Sequence, residues 1–287
     1  MAVDSTILLE ETRCLGCNSD ASEAGLLTLG LWQRLASLAD VDEIVDSFVA
    51  RSGITDATQI AAVTALVTSA RVHGWWDLCD IIYPFVGGTA GTHAQNLKSS
   101  SFTITWAGTV THDANGITGN GTTGFGDTAY IPSSSGQWGL NSAHFGFYRR
   151  TTGTSGSRDY VSVASGGPIV AVAGRGIGAA SLNGGINEVG SSTFASPSVL
   201  AWSAVTRIDS ANKHGYSGAT DSITVSASAG IPVLGVYVLA RNNNGVADRF
   251  SNANLAGLTA GSGITFATYL LMASDWQVFN AALGRQV

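Results

Sequence analysis

Apolar residues recur along this chain at two different periods. From Ala21 to Tyr83 the spacing is helical. In SEAGLLTLGLWQRLASL, Leu27, Leu31, Leu35 and Leu38 fall at steps of four and three, with Trp32 alongside, drawing one apolar stripe along a helix. A second short helix is predicted from Asp40, with Ile44, Val45 and Phe48 facing inward and Gly53 as its stop. A third is capped by Thr55, carries Ile60, Val63, Leu66 and Val67, and closes at Gly74. A last helical turn through WWDLCDIIYPF gathers Trp75, Trp76, Leu78, Ile81 and Ile82.

Beyond Pro84 the period becomes two. Phe102, Ile104 and Trp106 alternate with threonines, Ile223, Val225 and Ala227 with serines and a threonine, and Phe145 and Phe147 flank Gly146. PVLGVYVLA, residues 232–240, is apolar on both faces and predicts a central strand. Asn115-Gly116, Asn120-Gly121, Asn183-Gly184 and Asn244-Gly245 mark turns between such runs. A closing helix is predicted over Thr265–Leu283, stopped by Gly284.

The predicted fold class is therefore mostly β: an antiparallel β-sandwich of the jelly-roll kind, preceded by a small N-terminal α-helical bundle. The expected organisation is an arm over residues 1–20, a helical docking region over 21–83, and a sandwich over 84–287 that ends in a short helix. The bundle is small enough to need partners. Between the two parts lies YPFVGGTAGTHAQNLK, residues 83–98, which at first sight suggests a phosphate-cradling loop. It lacks the preceding apolar strand, the Gly-Lys-Ser/Thr ending and the following helix that such a loop needs, so it reads as a joint.

Composition sharpens this picture. Gly is abundant at 36 residues, and charged residues make up only 12%, so Ser, Thr, Asn and Gly must supply much of the polar surface. Charge is unevenly placed: residues 1–83 hold 12 acidic and 4 basic side chains, net −8, and residues 84–287 hold 8 acidic and 10 basic, net +2. No Lys/Arg run is present to follow a nucleic-acid backbone, so no nucleic-acid partner is expected. The longest uncharged stretches, Ser222–Ala240 and Phe250–Ser274, are broken by Ser, Asn, Gly and Pro232, and they read as sheet rather than membrane insertion. The acidic N-terminus does not resemble a signal peptide, so synthesis and assembly in the cytosol are expected.

Cys14 and Cys17 have C-x-x-C spacing, compatible with buried or capping cysteines, a local disulfide, or a metal or intermolecular site. Sugar cleavage needs two carboxylates about 5–10 Å apart. Glu188 is the one glutamate in the predicted sandwich, and the aspartates there, such as Asp113, Asp127 and Asp209, sit mostly at turns where Asp bonds its own backbone. No G-x-S-x-G elbow is present. His93 and His112 read as structural histidines. The expectation is no enzyme, no metal and no cofactor. Trp138, Tyr148, Arg149 and Tyr216 could form an aromatic platform for a host-surface glycan, or could fill the core.

The runs IIYPFVGGTAGTHAQNLK, FTITWAGTVTHDANGITGNGTTGFGDT and LNSAHFGFYRRT, with the closing FATYLLMASDWQVFNAALGRQV, resemble a family of tailed-bacteriophage virion proteins found among tail and fibre genes. The resemblance runs from about Gly53 to Val287, and more loosely over the CLGC arm. It departs at Ala94-Gln95, where the family carries basic and aromatic residues. It implies a concanavalin- or LamG-like jelly roll and a virion protein assembled in the host bacterial cytoplasm. That protein would dock through its helical part to other virion proteins and display a lectin-like sandwich toward a host glycan. A capsid decoration protein and a polysaccharide-cleaving tailspike domain are the alternatives. Cys14, Cys17, Leu26, Leu29 and Trp32 are the candidate docking residues. The wide apolar stripe around Leu26, Leu29 and Trp32 predicts a trimer or other small homo-oligomer.

Overall fold

The computed structural model describes residues 40–153, 161–164, 169–173, 181–195 and 200–287. The chain divides into two compact units, Met1–Glu43 and Ile44–Val287. The docking candidates Cys14, Cys17, Leu26, Leu29 and Trp32 lie outside the described residues. Position 83, where a boundary was expected, lies inside the second unit.

Helix α1, residues 40–52, ends as predicted at Gly53, whose left-handed backbone (φ 71°) donates its N–H back to the Val49 carbonyl at 2.8 Å. Helix α2 (Ala57–Val72) is capped by Asp56 rather than Thr55, the carboxylate accepting the Gln59 N–H at 2.9 Å. Val63, Leu66 and Val67 are buried, as their spacing predicts. The segment WWDLCDIIYPF departs from its helical expectation. After a short 3-10 turn at Trp76–Leu78 it becomes strand β1 (Cys79–Tyr83), whose Ile81, Ile82 and Tyr83 are all buried in a sheet. A strand buried on both faces shows a continuous apolar run, which periodicity alone does not separate from a short helix.

The described strands that follow β1 are β2 (Thr105–Ala107), β3 (Val110–Asp113), β4 (Gly116–Gly119), β5 (Phe125–Asp127), β6 (Ala143–Arg149), β7 (Val161–Ala164), β8 (Ile169–Ala173) and β9 (Ser181–Val189). Then come β10 (Ser192–Ala195), β11 (Ala201–Arg207), β12 (Asn212–Ser217), β13 (Thr220–Val225), β14 (Tyr237–Val238), β15 (Arg241–Asn243), β16 (Val246–Asp248) and β17 (Asn254–Gly261). Between β1 and β2 lies the four-residue helix α3 (Ala90–His93), and after β17 comes α4 (Phe266–Ala282) with Thr265 as its N-cap.

Two sheets result. The first runs β13-β12-β11-β6-β17-β4-β3, with β1 also paired to β17; the second runs β10-β9-β8-β7-β14-β5-β2, with β15 and β16 attached. Pairing is antiparallel except between β15 and β7. One apolar core draws on both sheets, with Phe145, Phe147 and Leu258 from the first and Leu182, Ile186 and Val238 from the second. The protein is thus mostly β, with antiparallel sheets and a few helices.

Turn chemistry was partly legible. Asn115-Gly116 ends the β3–β4 hairpin, and Asn244-Gly245, both left-handed (φ 53° and 88°), joins β15 to β16. Asn183-Gly184 instead lies inside β9. The predicted strand at 232–240 reduces to β14, while Val236, Leu239 and Ala240 are buried without joining a ladder.

The outer face of the first sheet is closed by α4. Trp202 of β11 stacks on Trp276 with ring centroids 4.8 Å apart and planes within 6°. The sheet accepts these rings because Gly146 and Gly257 lie beneath them; a Cβ at Gly257 would come within 2.3 Å of the Trp276 ring.

Candidate functional site

The residues proposed for glycan contact lie inside the molecule. Trp138 is 5% exposed, Tyr148 and Arg149 0%, and Tyr216 1%. Trp138 packs on Phe145 at 4.8 Å and donates its indole N–H to Asn187 Oδ1 at 2.9 Å. Tyr148 donates to Gln277 Oε1 at 2.7 Å, and the Tyr216 ring packs on Tyr269 at 5.2 Å. Of the two sequence readings the core-filling one holds: large rings placed between a sheet and its covering helix gain more by burial than by exposure.

The segment 83–98, read as a joint lacking a preceding strand and a following helix, begins at the end of β1 and contains α3, and forms a clasp of internal hydrogen bonds. Gly87 donates its N–H to Gln59 Oε1 at 2.7 Å, and Thr89 and Thr92 form a reciprocal capping box at the start of α3. Gly88 donates to His93 Nε2 at 3.2 Å, so that nitrogen carries no proton; the His93 Nδ1–H donates to His112 Nδ1, 3.1 Å away. Burial, followed by the neighbouring His112, lowers the His93 pKa to about 3, and burial also lowers that of His112. Trp106 donates its indole N–H to the Ala90 carbonyl at 2.9 Å. Asn96 accepts the N–H groups of Ile82 and Lys98 and donates to Asp80, Ser99 and Ser101, tying the NLK sequence to β1.

The clasp is locked from the far end of the chain. Arg285, 1% exposed, donates to the carbonyls of Pro84, Phe85 and Ala256 at 2.7, 2.8 and 3.0 Å, and to Asn280 Oδ1 at 2.7 Å. Its guanidinium lies over the Phe279 ring at 5.1 Å. Burial, then the nearby Arg150, lowers its pKa to about 9.

The carboxylates occupy three kinds of place. Asp113, Asp127 and Asp209 each accept an N–H two residues ahead, at 2.7, 2.9 and 2.7 Å, as their turn positions predict. Glu188 is buried between the sheets. It accepts from Lys213 and Ser226, and Arg207 NH2 lies 3.8 Å away. Arg207 in turn donates to the carbonyls of Ile186 and Ser226 at 2.9 and 2.8 Å. This group sits beside a β-bulge at Asn187, whose left-handed backbone (φ 55°) directs its amide to the carbonyls of Gly139 and Leu140.

The third place is a buried carboxylate that meets a partly exposed histidine. Asp275 on α4, 6% exposed, accepts from Trp75 Nε1 at 2.7 Å and pairs with His73 Nδ1 at 2.8 Å, the His73 side chain being 33% exposed. Asp275 also lines a recess between α2 and α4 with Leu66, Ser69 and Phe279. This acid–imidazole pair could move a proton at the surface, as could the second such pair, His214 Nδ1 and Asp221 at 2.9 Å. Sequence reading passed over the His73–Asp275 pair because its partners stand about 200 residues apart; the one local signal was a carboxylate set in the apolar pattern of α4. Among the described residues no group of three or more His, Cys, Asp or Glu is placed to hold a metal, and no helix is long and apolar enough to cross a membrane.

No protein-family model and no curated protein matches the sequence. The solved structures similar to it include the NanB sialidase from Streptococcus pneumoniae, at TM-score 0.35 and 11% identity over 49% of this chain and 26% of that one. Trypanosoma rangeli sialidase is similar in two complexes. With 2,3-difluorosialic acid the TM-score is 0.41 at 13% identity, over 75% of this chain and 39% of that one. With the inhibitor DANA it is 0.39 at 12% identity, over 74% and 38%. The chain spans between 26% and 39% of the length of these proteins. The expectation that the chain is not an enzyme is corrected on this finding, since its structural neighbours are enzymes. At these scores the likeness transfers no residue role and no reaction.

Proposed function

We propose that the chain is a tailed-bacteriophage virion protein of the tail or fibre class, and that its two sheets form a jelly-roll β-sandwich of the concanavalin or LamG kind. The observation that carries this reading is the clasp. IIYPFVGGTAGTHAQNLK and the closing LGRQV, two of the segments on which the virion resemblance rests, are bound to one another through Arg285, although about 200 residues separate them. A resemblance spread over segments that form a single physical unit is a resemblance of architecture, where scattered short matches would not be.

The partners of such a subunit are other virion proteins. Apolar side chains at the surface suit that role: Leu270, Leu271 and Val278 on α4, and Ile223 and Val225 on β13, are exposed. Gold-labelled antibody against the purified chain, applied to phage particles, is expected to decorate the tail or its fibres. Labelling confined to the head would move the protein to the decoration class, and absence from purified particles would refute the virion reading. Incubation with host polysaccharides, followed by measurement of released reducing ends, tests the tailspike alternative in the same preparation.

A further inference from the structure

The terminal strand of the first sheet carries its apolar residues on the outside. β13 pairs with β12 along its whole length, from Thr220 opposite Ser217 to Val225 opposite Asn212, and among the described residues no strand pairs with its other side. Ser222, Thr224 and Ser226 are half-buried, while Ile223 is 60% exposed, Val225 84%, and Ala227 is also exposed. A strand covered only by water would place these sets the other way round.

Among the described residues the backbone of this edge, over Ile223–Ala227, is open as well. Ser226 and Ser228 donate their N–H groups to the Ala211 and Ser210 carbonyls at 2.8 and 2.9 Å, so the even-numbered residues bond toward β12. Antiparallel alternation then turns the N–H and C=O of Ile223, Val225 and Ala227 to the free side. Edge strands are commonly blocked by lysine, proline or a bulge. Residues 220–230 hold no Lys, Arg or Pro, and their single charge, Asp221, is bonded to His214 Nδ1 at 2.9 Å.

We propose that β13 is a pairing edge for a second copy of this chain, joined antiparallel about a two-fold axis at Val225. In this register Val225 faces Val225, and Ile223 of each copy faces Ala227 of the other. The result is one uninterrupted apolar row with both Asp221 carboxylates beyond its ends. An edge without free charge has nothing to select a charged partner, and an identical strand meets it without like-charge repulsion. The inference does not depend on the virion reading: particle labelling decides that one, and mass in solution decides this one.

Sedimentation of the full chain over a wide concentration range is expected to show a monomer–dimer equilibrium. Val225→Lys is expected to raise the dissociation constant by at least about tenfold, through two like charges placed face to face, with the melting temperature unchanged. In a Cys14→Ser, Cys17→Ser background, Val225→Cys is expected to give a covalent dimer on oxidation, since opposed residues of such a pair lie about 5.5 Å apart at Cα. The same background without the added cysteine serves as the control. A chain monomeric throughout, a trimer, a dimer indifferent to both substitutions, or strand addition only by an unrelated peptide would each overturn the proposal.

Discussion

Two of the arginines buried among the described residues, Arg285 and Arg207, are held differently. Arg285 in the clasp is surrounded by neutral acceptors, three backbone carbonyls and an amide oxygen, and the nearest charge influencing it is another cation, Arg150. Arg207 also donates to carbonyls, but it shares its surroundings with Lys213 and with the carboxylate of Glu188. One site holds a cation by neutral dipoles alone, mostly those of the backbone; the other holds two cations against one anion. The difference shows where each site can be altered. A side-chain counter-charge can be removed together with its partner, whereas backbone carbonyls cannot be substituted away.

The largest effect is therefore expected in the clasp. Arg285→Ala leaves the Pro84, Phe85 and Ala256 carbonyls without their donor, and at about 1–3 kcal/mol for each buried orphan the loss is expected to reach about 4–6 kcal/mol. The urea midpoint would record it. Arg285→Met should be nearly as damaging, and tolerance of that variant would break the comparison. Glu188→Gln leaves Lys213 and Arg207 buried without an anion and is expected to cost about 3 kcal/mol in the same assay. The paired change Glu188→Leu with Lys213→Met is expected to recover part of that loss, because it removes one cation with the anion and leaves Arg207 on its backbone carbonyls.

Acid gives a smaller and graded effect. His93 and His144 are held neutral by burial, with pKa values lowered to about 3 and about 4, against 6.5 when unfolded. For a depressed histidine the unfolded state binds more protons, so stability is intact above pH 6.5 and falls as the pH drops toward the folded values. Each contributes a slope of up to about 1.4 kcal/mol per pH unit in that window. His93→Gln is expected to flatten part of the dependence of melting temperature on pH between 4 and 6.5, since His144 and His112 supply the rest. An unchanged slope would show that the His93–His112 contact is not what holds the clasp neutral.

Much of the frame could be read before the structure. The helical stripe of α2, the stop at Gly53, the closing helix from Thr265, the Asn-Gly hairpins and the turn-bound aspartates depend on residues within a few positions of one another. The misreadings share one cause. β1 looked helical, Asn183-Gly184 looked like a turn, and Trp138, Tyr148, Arg149 and Tyr216 stood equally well for a platform or a core. Each depended on which distant strand or helix covers the residue. The outward apolar row of β13 has the same alternation as an inward one, and only the neighbouring strand reveals its direction.

What the sequence alone determined is the local layer: which stretches are extended, which are helical, where the backbone reverses, and that polar surface must come from uncharged side chains. Those choices follow from sterics, capping and period, all within a turn or two of the chain. Tertiary structure alone decided that Arg285 closes on Pro84 and Phe85, that Asp275 meets His73, and that Ile223 and Val225 face outward. Contacts between residues about 200 positions apart come from the packing of whole layers, and no short-range pattern encodes which partner a buried donor will find.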